Sequence, residues 1–92
     1  MNLHTNHCYL QGALGGRDFL CRTQVALKLH RQFEPRALRA EYQRHLQDKP
    51  AEYQAGFLDA IGAYMLITLE GVLVDVDRWE VLRVLACADQ QK

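Results

Sequence analysis

The segment spanning residues 50–69 constrains this chain most, because its apolar side chains recur at helical spacing for about five turns. Tyr53, Phe57, Ala60, Tyr64 and Ile67 follow one another at intervals of four, three, four and three, which places them on a single helix face. Leu58, Ile61 and Met65 widen that face into a broad sector, leaving Glu52, Gln54 and Asp59 for the polar side. A helix this apolar belongs near the centre of a small bundle. Pro50 suits the first turn, where a missing N–H costs nothing, and Asp48 stands where it can cap the free amides. Gly56 and Gly62 each weaken the helix by about 1 kcal/mol relative to alanine, so each is expected to admit close approach of another helix. Gly71 follows as a natural stop.

Beyond Val72 and Leu73 the helical pattern restarts. Asp75 is positioned as an N-cap, with Val74 before it and Trp79 at the fourth helical position, the arrangement of a hydrophobic staple. Val76, Trp79, Leu82 and Ala86 continue at helical spacing, which predicts a last helix over 76–88, paired with its predecessor as an antiparallel hairpin. Upstream, Glu34 and Pro35 divide two further stripes. Leu38, Tyr42 and Leu46 mark a helix over 35–47; Val25, Leu29 and Phe33 mark one over 20–33, with Asp18 or Thr23 as its cap. The stretch CYLQGALGGRDFLCRT carries three glycines in five residues, which reads as two short strands around a turn or, by preference, as an irregular arm. The expected fold is all-α: a single domain over 1–92, with an irregular or strand-like N-terminal arm at 1–19 and a compact bundle of about four helices at 20–90.

Composition narrows the function classes. With 49% apolar and 24% charged residues the chain is built to fold, and a formal net charge of zero excludes a polycation that coats nucleic acid. The charges are nevertheless unevenly placed. Residues 17–49 hold eight Lys/Arg against four Asp/Glu, whereas residues 50–92 hold three against seven. The charge-free run 60–69 is too short to span a bilayer, and the opening MNLHTNHCYL lacks the basic and apolar regions of a secretory leader. Three cysteines at no motif spacing suit a reducing compartment, so a soluble, cytoplasmic protein without membrane association is expected.

Catalytic and metal chemistry find little support in the residue pattern. His4, His7, Cys8 and Cys21 supply ligand types for zinc, but without the paired spacing that zinc sites use, so no metal or other cofactor is expected. The chain contains no serine, and GALGG lacks the spacing of a phosphate-binding loop. Neither cysteine comes with a recognisable base-and-orienter motif, so the chain is not read as an enzyme. Two charged surfaces remain as binding candidates. Lys28 and Arg31 on the first helix, with Arg36 and Arg39 on the second beside Tyr42, offer a basic face for acidic protein groups or phosphates. Glu70, Asp75, Asp77 and Glu80 offer an acidic face that would mimic nucleic acid. The two helices around Pro35 also suggest a helix-turn-helix, making a small DNA-binding regulator the alternative; an apolar surplus that includes Tyr9, Phe19 and Trp79 leaves a homodimeric accessory subunit as a third reading.

The stretch YQAGFLDAIGAYMLITLEGVLVDVDRWEVLRVL resembles the helical hairpins of many short proteins encoded by phages and mobile elements, through Tyr53, Gly56 and Phe57, the turn at Gly71, and a last helix bearing Trp79 and Leu82. In overall build the chain resembles anti-CRISPR proteins, which are short, soluble, free of catalytic motifs and rich in surface for binding. That resemblance implies a phage-encoded, non-enzymatic inhibitor that binds a protein partner, such as a bacterial CRISPR effector complex, and blocks one of its surfaces in the host cytoplasm. Nucleic acid is then a secondary partner. Either charged face is available to the role.

Overall fold

A computed structural model describes residues 6–30 and 34–90. The described residues form α1 (His7–His30), α2 (Pro35–Leu46), α3 (Ala51–Leu69), a one-turn 3₁₀ helix (Val76–Arg78) and α4 (Val81–Gln90), with no strand among them. The all-α, four-helix expectation holds.

The N-terminal arm does not hold for residues 7–19, which belong to α1. Asn6 opens this helix: its Oδ1 accepts the Tyr9 amide at 3.1 Å, while its carbonyl accepts the Leu10 amide at 3.0 Å. Thr23, expected as a cap, lies inside the helix and donates its hydroxyl back to the Phe19 carbonyl at 2.9 Å. The glycines that suggested a turn serve the seam between α1 and α3. A Cβ on Gly12 would collide with the Tyr53 carbonyl, and one on Gly16 would come within 2.7 Å of the Phe57 carbonyl. Gly56 returns the arrangement, since its Cβ would strike the Tyr9 carbonyl. Backbone therefore packs on backbone, an approach that only small residues allow. Moving from Gly12 to Gly16 on α1 moves the facing residue from Tyr53 to Phe57 and Ala60 on α3, so the two helices run in the same direction.

Two apolar clusters flank the seam. One gathers Ala13, Ala60, Trp79 and Val81, with Leu14, Leu20, Tyr64, Ile67 and Leu82 around them. The other joins Phe19, Leu46 and Phe57 to Leu38, Tyr42, Tyr53 and Ile61. Phe57 is 0% exposed, and burial of such a ring contributes about 1.5–3 kcal/mol.

Helix ends depart from expectation in instructive ways. At the start of α3, Pro50 is itself the N-cap residue, and no side chain caps the helix; Asp48 instead turns the chain with φ 64°. At its end, Gly71 adopts φ 86°, the Gly71 amide bonds the Thr68 carbonyl and the Val72 amide bonds that of Ile67. Those two bonds define a Schellman stop. The helix expected over 76–88 is interrupted: the chain forms 3₁₀ geometry at Val76–Arg78, extends through Trp79, and becomes α-helical only from Val81. Arg17 holds the interruption, donating from Nε to the Val76 carbonyl at 3.3 Å and from its terminal nitrogen to that of Asp77 at 2.7 Å. Trp79 thereby sits 5% exposed against the edge of Tyr64, rather than stapling a helix start.

Candidate protein interface

α2 meets the rest of the molecule through a set of rings. Tyr42 and His45 on α2 surround Phe57 of α3 and Phe19 of α1, with ring centroids 4.8–6.5 Å apart and mostly edge-on. The sequence placed Tyr42 on a binding face beside Arg36 and Arg39; the structure turns it toward the core. The helical stripe at 38, 42 and 46 packs a half-buried Tyr42 together with its leucines against the Phe19 and Phe57 rings.

Above the Phe19 ring, α1 and α2 part to leave an open cleft of about 470 Å³ lined by Phe19, Arg22, Thr23, Ala26, Glu41, Arg44 and His45. Arg44 reaches Glu41 at 2.9 Å, an exposed pair one turn apart whose net contribution is about 0–1 kcal/mol. Arg22 faces His45 Nδ1 at 3.5 Å. A guanidinium only donates, so Nδ1 accepts from Arg22 in the tautomer that carries its proton on Nε2. His45 Nε2 and the Tyr53 hydroxyl share a hydrogen bond at 2.9 Å, in which Nε2 donates in that tautomer. Gly15 makes room for the pair: a Cβ there would run into the Tyr53 hydroxyl and approach His45 Nε2 to 3.2 Å. Lys49 lies 5.2 Å from the Tyr53 ring centroid.

Electrostatics agree with a neutral His45. Partial burial, then the nearby Arg22 and Lys49 charges, hold its pKa below the usual histidine value, against a smaller opposing pull from Asp18. Burial also pushes the Tyr53 hydroxyl above its ordinary value, so it stays protonated and able to donate. On α1, burial raises the Cys21 thiol, which keeps it uncharged and a weak nucleophile at neutral pH. Cys8 is likewise a free thiol, and among the described residues no three His, Cys, Asp or Glu side chains converge on a metal position.

The other sequence candidates fall in two places. Lys28 on α1 and Arg36 and Arg39 on α2 are exposed and are not among the residues that line the cleft; Arg31 lies outside the described residues. Glu70, Asp75, Asp77 and Glu80 are all exposed around the α3–α4 connection. Glu80 pairs with Arg83 at 3.2 Å. Sequence reasoning missed Arg22 and Phe19 as cleft residues. Their shared face on α1 is the available signal, and it is hidden for Phe19 by reading residues before 20 as an arm. No described helix is long and apolar enough to cross a membrane.

No family model, no curated protein and no solved structure matches this chain.

Proposed function

We propose that the protein is a non-enzymatic binding protein that docks an acidic surface of a larger protein assembly into the α1–α2 cleft and blocks that surface. The carrying observation is the cleft's make-up: an apolar floor at Phe19 and Ala26, with the guanidiniums of Arg22 and Arg44 at its rim. A carboxylate arriving from a partner gains charge-assisted hydrogen bonds from Arg22 and competes with Glu41 for Arg44, while an adjoining apolar side chain covers the Phe19 ring. Lys28, Arg36 and Arg39 extend the positive field beyond the contact and favour rapid encounter. The resemblance to anti-CRISPR proteins narrows the target to a bacterial interference complex, with the protein supplied by a phage.

The test is capture by tagged protein from bacterial lysate, with and without nuclease, beside an Arg22→Glu/Arg44→Glu variant. A stoichiometric, nuclease-resistant partner that the variant loses is the expected result. Recovery of nucleic acid alone, lost on nuclease treatment and abolished by Arg36→Glu/Arg39→Glu, replaces this reading with the DNA-binding regulator. Duplex binding through those arginines would also weaken steeply with salt.

A further inference from the structure

We infer that the outer face of α3 is a self-association surface, on which a second copy of this chain crosses antiparallel with the two Gly62 residues at the two-fold axis. The inference is independent of the cleft. Its starting point is a glycine with no use inside the molecule. Gly12, Gly16 and Gly56 each face opposing backbone, but a Cβ on Gly62 would meet nothing within 4 Å. Gly62 points away from the buried row of Tyr53, Phe57, Ala60 and Tyr64, in the middle of exposed Leu58, Met65, Leu66 and Leu69.

The occupant follows from the symmetry of the stripe. Leu58 and Leu66 stand four residues either side of Gly62, so an antiparallel crossing there sets each leucine against the other leucine of the second copy. Residues 60–69 contain no Asp, Glu, Lys or Arg, so the two-fold brings no charge against its own image. The nearest acid, Asp59, is held toward α1 by the Tyr9 hydroxyl at 2.6 Å. Antiparallel helices also oppose their dipoles. Leu69 is 76% exposed, and Val72 and Leu73, just past the helix end, are exposed as well. Together the exposed apolar side chains amount to several hundred Å², the scale of the ~800 Å² that each partner brings to a standard interface. Glycine at the crossing point lets the two backbones approach as Gly12 and Gly56 let α1 and α3 approach within one chain.

Sedimentation of the full chain across the micromolar range tests the inference, together with two variants. The expected mass is that of two chains. Leu66→Glu places a charge on each side of the axis and is expected to raise the dimer dissociation constant by about tenfold or more. Because Leu66 is 64% exposed in the single chain, its helical circular dichroism should not change. Leu58→Cys/Leu66→Cys, which keeps Gly62 and sets the thiols of one copy against those of the other, should become a disulfide-linked dimer under mild oxidation where the unaltered chain does not. A mass of one chain throughout, a dimer indifferent to Leu66→Glu, or a Leu58→Cys/Leu66→Cys protein that stays uncrosslinked would overturn it.

Discussion

The two faces of α3 carry the same residue type in opposite settings. Gly56 looks inward, where the Tyr9 carbonyl leaves no space for a Cβ, and the nearby Ala13 amide would lie 2.9 Å from it. Gly62 looks outward into open space. On the inner face the loss of a side chain is matched by backbone contact along the whole α1–α3 seam. On the outer face the same loss has no intramolecular return, and the residues around it are leucines and a methionine rather than charges. Helix propensity treats both glycines alike; only their surroundings separate a packing device from a vacant one.

The sharpest way to break this contrast is Gly56→Ala. The added methyl must push α1 and α3 apart, and an overpacked seam is expected to lose about 3 kcal/mol in urea unfolding. A loss below about 1 kcal/mol would mean that the seam yields easily and that backbone contact does not hold it. Next in size is Arg17→Ala. Its two carbonyl partners at Val76 and Asp77 would be left to solvent, and a loss of about 1–2 kcal/mol is expected. Amide exchange in residues 76–79 should rise with it; unchanged exchange would show that Trp79 packing alone holds the turn. Gly62→Ala should act in the opposite sense to Gly56→Ala, stabilising the single chain by about 0.4–1 kcal/mol when measured under dilution.

The smallest expected effect concerns the other contact of α3, its ring cluster with α2. His45 has a folded pKa below its unfolded value because burial and the neighbouring cations disfavour the imidazolium. The unfolded chain therefore takes up the proton first as pH falls. Stability from this group is complete above the unfolded pKa near 6.5 and declines as pH drops from there toward the folded value. Thermal unfolding should show a modest fall in midpoint below pH 6.5, and His45→Phe should flatten that slope within this window. A slope that survives the substitution assigns the pH dependence to other groups.

Much of this arrangement was legible in the residues. The row Tyr53, Phe57, Ala60, Tyr64 specified α3 and its buried side, because a period of 3.6 read over many residues outweighs two glycines. Pro35 marked the start of α2, and Gly71 marked the end of α3 through its positive φ. The arm over residues 1–19 failed for residues 7–19, since Gly12, Gly15 and Gly16 have the composition of a turn. Their reason for being small lies about forty residues further along the chain, in the carbonyls and hydroxyl of α3. The staple at Val74 and Trp79 failed likewise: Arg17 claims the carbonyls that an unbroken helix would have used differently. At the candidate site the charges of Lys28, Arg36 and Arg39 were plain, but the inward turn of Tyr42 and the pairing of Arg22 with His45 were not.

By itself, then, the sequence determined that the chain is helical, where α2 and α3 run and the side α3 must bury, because those depend on local periodicity and on residues that start or stop a helix. The tertiary structure alone decided that α1 and α3 touch through their backbones, that α1 and α2 part over Phe19, and that one face of α3 stays bare. Each of those depends on contacts between residues far apart in the chain, which periodicity cannot encode: a glycine reads the same whether a carbonyl or solvent stands opposite it.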